Sequence, residues 1–276
     1  MFWFRIGGVF CLWMCLISGL AVAEPAPPAE SHSRVASTNC SPPATLTYEN
    51  PPALTGTIYQ MGATSNQPLF KFKRTVTRSG NRIHVLREFS YPDGKLASRE
   101  QVVYQDNALV HYELDELQIG AKGTADVEGL STNRNKAKIH FHYSKDASAY
   151  SSSAAKSEPL LPDTLMNDMV GPFLAAHWDP LARGEKVGCR FIVVPRRETV
   201  GFTFRKESET QWHGRDVLIL KMEPSSLIIS ALVDPLHFVI EKSPPHHVIQ
   251  YSGRTTPKLN SGAHWKDLDA VTVFDW

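Results

Sequence analysis

The sequence lacks the short motifs that identify the common catalytic sites. It contains no Gly-x-Ser-x-Gly turn, no His-Glu-x-x-His helix, no Cys-x-x-Cys pair and no glycine-rich phosphate loop. A Ser-x-x-Lys pattern from Ser153 to Lys156 lies in a stretch rich in Ser and Ala, without the companion motifs of that class of hydrolase. The sequence therefore predicts no catalytic residues, no metal site and no cofactor. It favours a non-enzymatic protein, although motifs alone do not decide whether the chain is an enzyme.

An excess of charge of either sign is also lacking. The 276 residues include 29 Lys and Arg against 28 Asp and Glu, a formal net charge of +1 at pH 7. General binders of the nucleic-acid backbone need a dense Lys and Arg surface, so we expect no nucleic-acid partner. With 42% hydrophobic residues, the chain has enough apolar side chains for a packed core, which excludes wholesale disorder.

Long hydrophobic runs are missing after the first twenty residues. The run Ile6–Leu20 follows Arg5 and precedes Ala21-Val22-Ala23, a small-x-small cleavage pattern. At about 15 residues the run is shorter than the ~20 that a membrane-spanning helix needs. We predict a cleavable signal peptide over 1–23, export to the periplasm, and no transmembrane segment after cleavage. An uncleaved anchor is the alternative.

Cysteine is scarce, with four residues in the whole chain, two of which lie within 1–23. The remaining pair, Cys40 and Cys189, would enter a compartment that permits oxidation. A disulfide between them is therefore one prediction. Two separate thiols are the alternative, because the sequence does not give the Cα separation that a bridge requires.

The exported part of the chain divides by composition. Residues 24–43 are rich in Pro, Ala and Ser and carry almost no large apolar side chains, so they predict a flexible arm. Residues 44–276 predict a single β-rich domain. A Ser/Ala-rich loop over 145–157 joins its two halves.

Apolar and polar residues alternate with period two through most of this domain, which is typical of strands with one buried face. Turn residues join successive runs by links too short for parallel crossovers, among them Ser79-Gly80-Asn81, Asp106-Asn107 and His213-Gly214-Arg215. We predict a mainly β fold: a curved antiparallel sheet, a half-barrel-like meander, with a few short helices packed on one face. The predicted strands are Thr45–Tyr48, Leu69–Val76, Arg82–Phe89, Ser98–Tyr104, Leu109–Leu114, Lys138–Tyr143, Glu185–Val194, Thr199–Arg205, Asp216–Met222, Leu236–Ile240, His247–Tyr251 and Val271–Trp276.

One segment, Asp163–Arg183, has apolar residues at helical spacing. Pro172 and Pro180 each suit the first position of a helix, and Gly184 suits a C-terminal stop. Two or three short helices are therefore predicted. Residues 225–233 are compatible with either a strand or a short helix, and the helix is the interpretation we favour.

The histidines give the weak signals for a site. His140 and His142 lie two apart in a predicted strand, so their side chains share a face. No third ligand is specified, and a solvated polar face explains the pair more simply than a metal. The neighbours His246 and His247 would point to opposite faces. His177 beside Trp178 fits an amphipathic helix. The sequence therefore leaves the binding residues unknown.

Several short segments of the second half carry a family resemblance: Gly184-Glu185-Lys186-Val187, Val200-Gly201-Phe202, Met222-Glu223-Pro224-Ser225-Ser226, Val233-Asp234-Pro235-Leu236 and Gln250-Tyr251-Ser252-Gly253-Arg254. With the signal peptide and the long meander, they resemble uncharacterised periplasmic proteins of Gram-negative bacteria. These are more loosely similar to lipoprotein-localisation carriers of the LolA/LolB type. The resemblance implies an open half-barrel that holds acyl chains against short helices, and it assigns no functional residues.

Two functions follow as expectations. The first is binding of a lipid or another apolar envelope molecule in the concave sheet, driven by burial of apolar surface. The second is a structural or protein-interaction module of the cell envelope, with an envelope protein as partner. A large apolar cavity would favour the first function, and a filled core with an exposed apolar patch would favour the second.

Overall fold

The computed structural model describes residues 53–62, 67–130, 136–226 and 234–276. Within them, fifteen strands form one sheet. The predicted strand Thr45–Tyr48 and residues 227–233 of the ambiguous segment lie outside this description. In chain order the strands are β1 Ala53–Gln60, β2 Pro68–Ser79, β3 Arg82–Ser90, β4 Leu96–Gln105, β5 Ala108–Glu116, β6 Ala121–Glu128, β7 Lys138–Ser144, β8 Lys156–Pro159, β9 Thr164–Leu165, β10 Val187–Val193, β11 Glu198–Trp212, β12 Arg215–Pro224, β13 Leu236–Glu241, β14 Val248–Asn260 and β15 Trp265–Asp275.

The sheet is a meander in which the first and last strands, β1 and β15, lie side by side near the middle of the strand order. Its order is β8-β7-β6-β5-β4-β3-β2-β1-β15-β14-β13-β12-β11-β10-β9. Neighbours are antiparallel except β9 and β10, which run parallel. Pairing of β1 with β15 therefore joins the N-terminal and C-terminal halves. The predicted fold class, a mainly β protein with a large, mostly antiparallel sheet and a few short helices, is confirmed.

The predicted hairpin turns form because their residues adopt positive φ angles. Asp106 and Asn107, between β4 and β5, have φ values of 51° and 61°. His213 and Gly214, between β11 and β12, have values of 48° and 79°. Two residues of positive φ match the twist of the flanking strands, which favours tight antiparallel pairing.

The alternation of apolar and polar residues did not predict four of the strands, β1, β6, β8 and β9. On β6 the inward positions Ala121, Gly123 and Ala125 are small, so the strand carries little apolar signal. Close packing explains the small residues. A Cβ atom on Gly123 would lie 2.3 Å from Cγ1 of Val194, in the 3-10 turn Val194–Arg196 that follows β10. The C-terminal half thus packs directly on this strand.

The helical passage is confirmed as a 3-10 turn, Asn167–Met169, and two helices, α1 Val170–Ala176 and α2 Trp178–Ala182. The two prolines were placed wrongly, because Pro172 and Pro180 occupy third rather than first positions. The backbone N–H groups of the first four residues of a helix have no acceptor within the helix. A proline at the third position therefore removes no hydrogen bond, and the helix tolerates it. Gly184 ends α2 with a φ of 87°, as predicted.

The Ser/Ala-rich stretch 145–157 is more ordered than a solvated loop. It contains the 3-10 turn Ala147–Ser152 and the beginning of β8 at Lys156. Asp146 caps the turn, since its Oδ1 accepts hydrogen bonds from the backbone N–H and the hydroxyl of Ser148 at 2.9 and 2.7 Å. This local capping is the feature that composition alone did not indicate.

The sheet curls around the helical segment. Buried apolar side chains of α1 and α2 share a core with strands of both halves, including Tyr104 on β4 and Phe204 on β11. These strands stand eight positions apart in the sheet order. A side-chain bond from Thr256 on β14 to Glu100 on β4 also crosses the interior. The concave face is thus the core of the domain.

The two edge strands are consecutive in the chain, so the sheet brings its own edges together. Leu160–Asp163 links β8 to β9, and backbone bonds extend the pairing on both sides of the link. The Glu158 carboxylate on β8 accepts hydrogen bonds from the backbone N–H and the hydroxyl of Thr199 on β11. The chain therefore protects its strand edges without closing the sheet into a barrel. In the described part of the chain, no helix is long and apolar enough to cross a membrane.

Candidate functional site

The concave face, where an apolar ligand was expected, is covered by the chain itself. Phe173 and Leu174 of α1 and Leu181 of α2 are essentially fully buried. The Phe173 ring lies 5.9 Å from the Phe204 ring, which in turn contacts Phe238 at 5.6 Å. An apolar molecule would compete with these side chains for the same strands.

A buried ion pair fixes the segment to the sheet. Nε of Arg74 on β2 donates to Oδ1 of Asp168 at 2.7 Å, and the hydroxyl of Tyr104 donates to Oδ2 at 3.0 Å. Both charged side chains are almost completely buried. A buried pair of this kind is costly to break, because either partner alone would be a desolvated charge. It therefore specifies where the segment docks.

The sheet brings His140 into a row of polar residues on the outer face. The row runs across β5 to β8 through His111, Asp126, His140 and Ser157. Nδ1 of His111 lies 2.6 Å from Oδ1 of Asp126, and Nδ1 of His140 lies 2.8 Å from the Ser157 hydroxyl. The hydrogen bond with Asp126 raises the pKa of His111 above its ordinary value.

This row is an exposed polar surface rather than a catalytic centre. Nε2 of His140 also lies 3.2 Å from Glu128, so Ser157, His140 and Glu128 have the residue types of a hydrolytic triad. The Glu128 side chain is 75% exposed, and a triad needs a water-excluded site with oxyanion donors to act. His142 contacts the Tyr150 ring instead of joining the row. The described residues include no group of three or more His, Cys, Asp or Glu placed to hold a metal.

The remaining histidines noted in the sequence, His177, His246 and His247, all pack against aromatic rings. His246 stacks on Trp178 and His247 stacks on Trp276, each with ring centres 3.8 Å apart. His177 instead packs on Phe173 and its Nδ1 contacts the Phe173 carbonyl. The hairpin between β13 and β14 is therefore joined to α2 and to the end of the chain by aromatic contacts, and these residues have structural roles.

Cys189 lies on β10 and is buried, and burial raises the pKa of its thiol to about 12. Cys40 lies outside the described residues, so the disulfide between them stays a prediction. Ser153 precedes β8 and Lys156 begins it, with the Lys156 ammonium 3.0 Å from Glu158. The Ser-x-x-Lys pattern is therefore not presented on one face of a helix.

A cleft opens at the rim of the sheet, where the two halves meet. Three connections form it: the β5–β6 turn, the end of β7 and the β14–β15 hairpin. Gln118 fixes the turn to the hairpin, since its side-chain amide accepts from the backbone N–H of Lys258 at 2.7 Å and donates to the Lys258 carbonyl at 2.9 Å. Its Nε2 also donates to the Tyr91 hydroxyl. We call the space between these connections the rim cleft; it is lined by Ile119, Tyr143, Lys145, Lys258, Trp265 and Asp267.

The rim cleft combines an aromatic surface with charges of both signs. Its volume is about 370 Å³. Trp265 is 38% exposed, which is unusual for a side chain of its size. The Lys258 ammonium lies 3.1 Å from Glu116 and 3.0 Å from Asp267. Burial lowers the pKa of Lys258, but these two carboxylates more than offset that effect and raise it overall.

The remaining polar groups of the cleft differ in how they are engaged. The Tyr143 hydroxyl donates to Glu116 at 2.7 Å, and burial together with this bond raises the pKa of Tyr143. The Lys145 ammonium has no hydrogen-bond or ion-pair partner among the described residues. Burial raises the pKa of Asp267 while the bond from Lys258 lowers it, and the net effect is a lowered pKa. The cleft thus offers a free cation and an ionised carboxylate beside an indole ring.

Sequence reasoning missed the rim cleft entirely. Its residues come from two parts of the chain, 119–145 and 258–267, which are more than a hundred residues apart, and no local pattern unites them. The one usable signal was Trp265, a large aromatic residue in the polar stretch Ser261–Asp267. A tryptophan among turn residues often marks an exposed contact.

Comparison with known proteins finds two similar solved structures and assigns no function. No family model matches the chain, and no curated protein matches it. A beta-barrel-like protein of domain of unknown function DUF1849 from Brucella abortus is similar over 81% of this chain and 96% of its own, with 8% identity and a TM-score of 0.42. A DUF1329 family protein from Desulfovibrio piger is similar over 81% of both chains, with 12% identity and a TM-score of 0.22. Both neighbours are domains of unknown function, which is consistent with the expected similarity to uncharacterised proteins, and we draw no functional argument from either.

Proposed function

We propose that this chain is a non-enzymatic binding module of the bacterial cell envelope, exported to the periplasm, and that its recognition surface is the rim cleft. One observation carries the proposal: the concave face is occupied by α1 and α2, whereas the rim cleft is open and presents Trp265 and an unpartnered Lys145. Large exposed aromatic residues are typical of binding surfaces.

The rim cleft is also suited to binding because its walls are fixed before a ligand arrives. Gln118 joins the turn to the hairpin, and Lys258 is held between two carboxylates. A site that is already ordered loses little conformational entropy on binding. Its groups bind and orient, and none is arranged as a nucleophile with an adjacent base.

A lipid or other apolar ligand on the concave face, as in the lipoprotein carriers, is the second candidate. The observation that favours it is the way the helical segment attaches: its contacts with the sheet are made through side chains such as Leu174 and the Asp168 carboxylate. Displacement of the part that contains α1 and α2, with β9 left paired to β10, would break no described backbone pairing between strands. It would expose the apolar faces of strands from both halves.

Site-specific photo-cross-linking in the native host tests the first proposal. A cross-linking residue at Leu117, beside the rim cleft and 48% exposed, is compared with one at Leu161, which is 44% exposed and lies near the opposite end of β7. We expect a product of defined mass from position 117 that disappears in Trp265→Ala, and none from position 161. Equal products from both positions, or a product unaffected by Trp265→Ala, would contradict the proposal.

Native mass spectrometry tests the second candidate. The protein is purified from its native envelope without detergent, and bound molecules are then extracted into organic solvent. A stoichiometric lipid would establish the carrier function and move attention to the concave face. A ligand-free mass would rule out a tightly bound resident lipid.

A further inference from the structure

We propose that the rim cleft binds a neutral saccharide, with one sugar ring stacked on the indole of Trp265. This inference rests on the proposed function, because it names the ligand class of the same site. The ligand must satisfy three properties of the cleft: an exposed flat aromatic surface, balanced charge, and donors and acceptors placed side by side.

The aromatic surface favours a ring with an apolar face. Trp265 begins β15, and its backbone pairs with Asn260 across the β14–β15 hairpin, so the residue is held at the edge of the cleft. The face of an indole carries negative charge density. A pyranose ring presents a set of axial C–H groups, which are weakly positive and fit such a face.

The charges of the cleft favour a neutral ligand. Two ammonium groups, Lys145 and Lys258, stand beside two carboxylates, Asp267 and the buried Glu116. The Arg254 guanidinium, which binds Asp267 at 2.6 Å, is matched by its second partner Asp269. An anionic ligand would meet the Asp267 carboxylate, whose side chain is 56% exposed, and a cationic ligand would meet Lys145. A purely apolar ligand would desolvate both charged groups without replacing their hydrogen bonds.

The same groups match the hydroxyls of a sugar. Each hydroxyl both donates and accepts, so one hydroxyl can accept from the Lys145 ammonium while a neighbour donates to Asp267. Hydrogen bonds to charged partners are stronger than those between neutral groups. The volume of about 370 Å³ lies at the small end of ligand sites, which suits roughly one or two sugar rings.

Nuclear magnetic resonance of the full-length chain tests the inference. The indole N–H signal of Trp265 is assigned by its loss in Trp265→Phe and is then followed during titration with two neutral disaccharides, cellobiose and chitobiose. Saturation transfer to the sugar protons measures binding to the variants. Inorganic phosphate, tetramethylammonium and hexanol serve as anionic, cationic and apolar probes.

We expect a disaccharide to shift the Trp265 signal and Trp265→Ala to abolish saturation transfer, while Trp265→Phe retains part of it. Lys145→Ala should weaken binding about tenfold, because it removes a charged hydrogen-bond donor. The control Lys138→Ala, an exposed lysine at the other end of β7, should leave binding unchanged.

Two results would overturn the saccharide assignment. A shift caused by one of the other probes and by neither sugar would assign a different ligand class to the same cleft, and the proposed function would stand. No shift with any probe would also overturn the assignment, and the cross-linking from position 117 would then decide the proposed function separately.

Discussion

Replacement of Leu174 by Ala tests whether the helical segment is a permanent part of the core. Leu174 lies in α1 with no exposed surface, packed among side chains from both halves of the sheet. If the segment is core, the substitution leaves a cavity that the close-packed surroundings fill only in part. If the segment is instead a displaceable cover, the native protein already populates conformations in which the segment has left the sheet.

The two cases differ in magnitude. Three carbon atoms are removed, and at about 0.8 kcal/mol for each buried methylene group the transfer contribution is roughly 2.4 kcal/mol. The cavity adds to this, and buried Leu→Ala substitutions cost about 3–5 kcal/mol in total. We therefore expect a loss of about 3 kcal/mol in the free energy of unfolding of Leu174→Ala.

Equilibrium unfolding in urea, followed by circular dichroism and tryptophan fluorescence, measures the loss. The matched control is Leu161→Ala, because Leu161 is exposed and its truncation should change stability by less than about 0.5 kcal/mol. A cost for Leu174→Ala no larger than that of the control, with an unchanged urea dependence, would refute a filled core. It would also favour the apolar-ligand carrier.

Three further outcomes are expected. Asp168→Asn should lower the free energy of unfolding by about 3 kcal/mol in urea, because it removes the carboxylate from the buried Arg74 guanidinium; a loss below about 1 kcal/mol would contradict that role. His111→Gln should lower the free energy of unfolding by about 0.5 kcal/mol at pH 6. This loss should fade as the pH rises through the raised pKa of His111, because the stabilisation by Asp126 requires the protonated ring. A cost that grows with pH in the same unfolding assay would reverse this assignment. Gly123→Ala should lower the unfolding free energy by about 1–3 kcal/mol, because its methyl group has no room against the segment after β10; an unchanged thermal midpoint would argue against that contact.

Local patterns predicted the strands and turns that depend on neighbouring residues. The alternation in Arg82–Phe89 reappears as β3, and the predicted turn residues Asp106 and Asn107 connect β4 to β5 with positive φ angles. These features follow from backbone sterics and from the two-residue period of a strand. The same reasoning overlooked β6, because its inward residues are small for a reason that lies in another part of the chain, the contact of Gly123 with Val194.

By itself, the sequence determined the mainly β class, the meander and the place of the short helices, since alternation, turn chemistry and helical spacing are properties of adjacent residues. The tertiary structure alone decided that β1 pairs with β15, that the helical segment fills the concave face, and that Trp265 and Lys145 line the same cleft at the rim. Each of these pairs residues far apart in the chain, and their meeting depends on how the sheet curls around its core. A one-dimensional pattern contains no measure of that curvature.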